Sequence, residues 1–294
     1  MNTSKTDPAP HPQPRPTRAA ALLALVASVL LAAAACGAPS SQALEGPAAG
    51  DVEASLEAGT ESFTHDGWDR LLEEGTRDGL VDYRYFQRER AELDAYLERV
   101  AAVDLASLAP AHLKALLVNA YNAYTIEAIL EHPSVASIRD IDGVWTETPR
   151  TVGGHGLTLD QIEHNLLRPY FRDPRIHFAV NCASLSCAPL PTWAFTGDGL
   201  DEQLERRTRD FLRDPANVRI EDGTLMLSRY FDWYGGDFTD EGWEPRAGTI
   251  PAFVARYATD EVAEFVAGRD GRPEVAFLEY DWSLNAVEGG APEA

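Results

Sequence analysis

Positive charge is what this chain has least of. Its 294 residues carry 25 Lys and Arg against 47 Asp and Glu, a formal net charge of −22. Lys5 and Lys114 are the only lysines. The acids are spread along the chain, not massed in one tail. A field of that sign repels phosphate backbones, so nucleic acid is not an expected partner. It also disfavours docking on anionic lipid without an anchor. Several enzyme motifs are absent as well. The chain has no His-Glu-x-x-His, no Gly-x-Ser-x-Gly, no Gly-Lys-Ser/Thr phosphate loop and no Gly-x-Gly-x-x-Gly. No cofactor and no internal repeat is expected. Cysteine is scarce too, with three residues: Cys36, Cys182 and Cys187.

Only one long apolar run occurs, at residues 19–35, after a polar stretch carrying Lys5, Arg15 and Arg18. As a helix it would span about 25 Å, short of a hydrocarbon core of ~30 Å. A basic start, a short apolar run and small residues before a cut site form the secretory pattern. Cys36, preceded by Ala33, Ala34 and Ala35, resembles the lipidated cysteine of bacterial lipoproteins. An ordinary cleaved signal peptide and an uncleaved anchor are the alternatives. The expected organisation is therefore a signal peptide at 1–35, a lipid-anchored linker at 36–60, one domain at 61–286 and a disordered tail at 287–294. The linker is rich in Ala, Gly, Ser, Pro and Glu, which predicts a flexible tether. This address places the domain in the cell envelope, held to the membrane by its lipid.

Within the domain, periodicity predicts helices over 67–76, 87–100, 111–131, 158–170, 200–213 and 250–258. The helix at 111–131 is apolar on more than one face, so it should be buried and central. Thr158 and Gln161 form a capping-box pattern. Extended segments are predicted at 81–86, 175–181 and 274–281, with hairpins at 144–157 and 218–227. The second hairpin turns on Asp222-Gly223. Helices and strands do not alternate regularly, so the expected class is α+β.

The chemistry-bearing residues cluster between Asn119 and Pro189. Asn119 and Asn122 share an edge of the buried helix. Such amides either tie a neighbouring loop or orient a catalytic group. Glu163 lies at the edge of an apolar stripe, where desolvation raises a carboxyl pKa unless a cation pairs with it. His164 is next to it and faces Arg168. It is either a surface histidine or part of a site. His177, Cys182 and Cys187 admit three readings. The cysteines form a disulfide, as an oxidising compartment favours. Alternatively one cysteine is a nucleophile activated by His177 or His164, with Glu163 or Asn119 holding the imidazole. The third reading, zinc, is disfavoured because four-residue gaps are not the usual close ligand spacing.

Several segments resemble one family. They are Leu117 to Asn122, Leu159 to Arg168, Asp173 to Ala179, Asn181 to Cys187, Leu227 to Tyr234 and Glu279 to Asn285. Together they are similar to the domain of unknown function 547 family over about residues 60–286. The family usually places proline directly after the second cysteine, whereas Ala188 intervenes here before Pro189. Members with other residues at the cysteine positions fit an optional disulfide. The resemblance implies a domain boundary and singles out Asn119, Asn122, Glu163, His164 and Arg168, but it implies no activity. Two functions are therefore expected as rivals. One is a cysteine-dependent amide or peptide hydrolase or acyltransferase acting on an envelope substrate. The other is a non-catalytic envelope binding module with a Cys182–Cys187 bridge.

Overall fold

The computed structural model describes residues 46–293. The expected leader, Cys36 and the first part of the linker lie outside the described residues. The domain is α+β. It opens with helices α1 (Ala49–Ala58) and α2 (Asp66–Gly75), the short pair β1 (Thr76–Arg77) and β2 (Leu80–Val81), then α3 (Tyr83–Arg88) and α4 (Arg90–Ala102). Helix α5 (Pro110–Glu131) follows, then the hairpin β3 (Arg150–Val152) and β4 (His155–Leu157). A π-helix, Gln161–Phe171, and a 3-10 helix, Pro174–Phe178, lead into the cysteine loop. Helix α6 (Leu200–Arg213), strands β5 (Val218–Glu221) and β6 (Thr224–Leu227), and helices α7 (Tyr230–Trp233), α8 (Gly235–Thr239), α9 (Ile250–Tyr257) and α10 (Asp260–Ala267) come next. Strand β7 (Val275–Phe277) pairs parallel to β6, whereas the other three strand pairs are antiparallel.

Helix α5 is central. It is apolar nearly all round and buries Leu113, Leu117, Ala120, Tyr121 and Ile129 among many others, as a core helix must. The aliphatic core around it also takes in Trp68, Leu105 and Ile162. A second, aromatic core gathers Phe178, Phe211, Tyr230, Phe231, Phe238 and Phe253. The segment from Phe178 to Ala188 runs between the two, with Val180 and Ala183 in the first and Phe178 and Cys187 in the second.

The structure corrects the sequence at four places. Residues 175–181 are not a strand. Asp173 accepts from the Arg175 N–H at 3.0 Å and Pro174 follows it, a helix start that overrides the apolar alternation. The extended segment at 81–86 survives only as Leu80–Val81, because Asp82 caps α3 by accepting from the Tyr85 N–H at 3.0 Å. The expected tether contains α1, whose Val52 is fully buried. Ser55 Oγ donates to the Leu108 carbonyl at 2.6 Å. A Cβ on Gly59 would lie 1.9 Å from the same oxygen, so only glycine permits that approach. A polar composition hid a helix that needs few apolar contacts because it docks on a core already built. Finally, the tail is not disordered up to Glu293. The Arg84 N–H donates to Gly290 O at 3.1 Å, and Gln87 Nε2 donates to Glu293 O at 2.8 Å. Among the described residues no helix is long and apolar enough to cross a membrane.

Residues 46–60 therefore belong to the folding unit. A chain starting at Glu61 should be less stable than one starting at Gly46 by about 2–3 kcal/mol, from losing the apolar burial at Val52 and the surface beneath it. Urea unfolding of both checks this, and equal stability would show that α1 does not contribute.

Candidate functional site

Two asparagines of α5 position the loops that carry the site. Asn122 Nδ2 donates to Ala179 O at 2.9 Å, and its Oδ1 accepts from the Asn181 N–H at 2.7 Å. Asn119 holds Phe195 in the same two-sided way, at 2.7 and 3.1 Å. Both amides are thus spent on backbone. Asn181 in turn bonds Ala188 O, the Ala183 N–H and Asn285, and Asn285 bonds Tyr83. The cysteine loop is latched from both ends.

The π-helix supplies Glu163, His164 and Arg168. Its start is fixed by the Thr158–Gln161 capping box, with bonds of 2.9 and 3.2 Å. Arg168 grips Asp237 of α8 with two bonds, Nε to Oδ2 at 2.7 Å and Nη2 to Oδ1 at 2.8 Å. His177 Nε2 meets the same Asp237 Oδ2 at 2.8 Å. Its ring stacks on Tyr234 with centroids 4.1 Å apart. The other ring nitrogen is Nδ1. That nitrogen is buried without a hydrogen-bond partner and lies 3.8 Å from Glu163 Oε1. His164 is not a surface histidine. Its side chain is buried, with Nδ1 3.0 Å from Arg168 Nη1 and Nε2 3.6 Å from Asp160.

The two carboxyls on His177 are driven apart. Burial pushes Glu163 above its ordinary 4.5, and the charges of His177 and Arg168 with a bond from Tyr121 only partly offset this. Burial acts on Asp237 in the same sense, but there the hydrogen bonds from His177 and Arg168 win and hold its pKa below 3.8. Environments that separate two like groups in this way mark acid and base roles.

The cysteines are two thiols, not a bridge. Their sulfurs are 3.0 Å apart, whereas a disulfide requires about 2.05 Å. The bridged resting form expected of the binding module is therefore corrected. Cys182 is partly exposed and Cys187 is buried. Around Cys182 Sγ stand the Cys187 thiol, Ser184 Oγ at 3.3 Å and Tyr280 OH at 3.2 Å. These bonds, Cys187's first, outweigh burial and lower the Cys182 pKa from 9.0. Burial and the neighbouring Cys182 push Cys187 well above it. The direct contact expected between a thiol and His177 is not made, since Nε2 is committed to Asp237. Ala188, standing where the family usually has proline, donates its N–H to Tyr230 OH at 2.9 Å, and that hydroxyl donates to Cys187 Sγ at 3.1 Å. Proline has no N–H to give. Among the described residues no cluster has the makeup of a metal site.

Sequence reading missed Asp237, Tyr234, Tyr121, Ser184, Tyr230 and Tyr280. Asp237 follows an aromatic run and two glycines, but its partner His177 is 60 residues away, and nothing local marks the pairing. A family model described as "Protein of unknown function, DUF547" matches residues 105–212. That segment is similar to the family. It spans α5, the π-helix, the cysteine loop and most of α6, while Asp237 and Tyr280 lie beyond it. No curated protein and no solved structure matches the chain.

A pH-dependent stability follows from Glu163. A carboxyl whose folded pKa is raised holds its proton more tightly when folded. Its contribution is complete at pH values below the unfolded pKa and is lost as pH rises through the folded one. Glu163→Gln should therefore gain stability relative to wild type as pH climbs from 4.5 towards neutrality. Urea titrations at stepped pH measure it, and a constant difference would contradict the raised pKa.

Proposed function

We propose that this domain is a thiol-dependent acyl-transfer enzyme of the cell envelope, with Cys182 as its nucleophile. The observation that carries this reading is one partly exposed sulfur within hydrogen-bond distance of three groups: Cys187 Sγ, Ser184 Oγ and Tyr280 OH. Donors to a thiolate lower its pKa without a histidine in contact. Cys182 attacks the carbonyl of an amide or peptide and forms a thioester. The hydroxyls of Ser184 and Tyr280, themselves 2.9 Å apart, are placed to donate to the oxyanion. Glu163, whose proton burial holds more tightly, is the acid that protonates the leaving amine. His177 Nδ1 lies beside it, and Asp237, itself gripped by Arg168, holds the ring. His164 braces Arg168. Water or a second amine then releases the acyl group. In this reading Cys36 carries the lipid that anchors the domain to the membrane, near an envelope substrate.

The acyl step is tested with p-nitrophenyl acetate. A burst of p-nitrophenolate equal to the enzyme concentration, with acetyl on Cys182, is expected, and Cys182→Ala should remove it. Acetyl found only on other residues would overturn the assignment. Iodoacetamide should alkylate Cys182 with a midpoint below pH 9.0 and ahead of Cys187. In the producing bacterium, Cys36→Ser should move the protein to the soluble fraction. Full membrane retention would instead indicate an uncleaved anchor.

A further inference from the structure

The acyl-transfer reading uses Cys187 only as a neighbour of the Cys182 sulfur. Its placement is more specific than that task needs. Its sulfur is 3.0 Å from Cys182 Sγ, so a bond between them needs a movement of about 1 Å. The pair is asymmetric in access: Cys182 is partly exposed, whereas Cys187 is 5% exposed. It is also asymmetric in setting. Cys187 Sγ accepts from the Cys182 N–H at 2.8 Å and from Tyr230 OH at 3.1 Å. The loop that joins them is closed on itself by the Cys187 N–H to Ser184 O bond at 3.1 Å. It is also tied to the 281–285 segment by the Leu185 and Ser186 N–H groups, at 2.9 and 3.2 Å. The approach of the two sulfurs is thus built by the loop.

We infer that Cys182 and Cys187 form a dithiol–disulfide couple that exchanges with external disulfides, Cys182 attacking and Cys187 resolving. In the first step the Cys182 thiolate attacks one sulfur of a disulfide RS–SR. A Cys182–SR bond forms, the S–S bond of the reagent breaks, and RS⁻ leaves with the electron pair. In the second, Cys187 loses its proton to that thiolate and attacks Cys182 Sγ. The intramolecular disulfide forms and the second RS⁻ leaves. The external disulfide is reduced to two thiol equivalents and the protein dithiol is oxidised by the same two electrons, so no other reactant is needed. The order follows from the surroundings. Cys182 is the more exposed of the two. Besides burial, what keeps Cys187 protonated is its bond to Cys182 and the Cys182 charge, and the first step removes both. The resolving thiol becomes easier to ionise when it is needed.

The inference does not require acyl transfer, and the two are tested apart. The full chain carrying Cys36→Ser has Cys182 and Cys187 as its only thiols. Incubated with oxidised glutathione, it should lose both thiols, retain no glutathione and yield a Cys182–Cys187 cross-linked peptide in mass spectrometry. With Cys187→Ser added, one glutathione should stay on Cys182. A stable glutathione adduct on the Cys187-containing protein would overturn the resolving role. No exchange in either protein, under conditions where free cysteine exchanges, would overturn the couple. Should Cys187→Ser fail to fold, the cross-linked peptide decides alone. Acetylation of reduced Cys182 is a separate readout, so either reading can fail while the other stands.

Discussion

The clamp between Asn122 and the backbone at 179–181 is the contact on which the site depends. One amide satisfies a carbonyl and an N–H on the same strand of chain, at 2.9 and 2.7 Å. Each of those groups is buried, and leaving one unmet costs about 1–3 kcal/mol. The clamp therefore forces the chain after the 3-10 helix to leave the aromatic core and press against α5. His177 stays behind on Tyr234 and Phe238, while Cys182 and Cys187 are carried to the junction of the two cores. Without that bend, the imidazole and thiols would not belong to one neighbourhood.

Charge is organised at two scales. Over the whole chain, acid outnumbers base by nearly two to one, and most of that surplus faces water, where it supports solubility and little else. Inside, the rare positive charges are placed with care. Lys114 and Arg175 both bond the buried Asp173, at 2.5 and 2.9 Å, which pins the start of the 3-10 helix. Arg168 does the same for Asp237. Glu163 is left without such a fork, and burial rules its protonation. Hydrogen bonds from His177 and Arg168, made to Asp237 and not to Glu163, thus separate two carboxyls that sequence alone would treat as equivalent.

Much of the architecture could be read directly. The Asp222-Gly223 turn takes φ values of 50° and 82°, the left-handed pair that this hairpin requires, and α5 is as buried as its pattern demands. Errors arose where a local signal competed with another. Alternating Ile176, Phe178 and Val180 suggest a strand, yet the Asp173-Pro174 start makes a helix. Composition marks 37–60 as a tether, yet Val52 and Ser55 find a prepared surface. The candidate residues themselves were legible because they sit in dense motifs between Asn119 and Pro189. Their partnerships were not.

The sequence by itself determined most of the helices, the central position of α5 and the set of candidate side chains, because period, caps and turn residues act over a few positions. Tertiary structure alone decided that the two cysteines face each other as thiols and that His177 answers to Asp237 and not to a sulfur. Those outcomes depend on which groups meet across long stretches of chain. Hydrogen-bond distance and desolvation are properties of the assembled core, and no local window contains them.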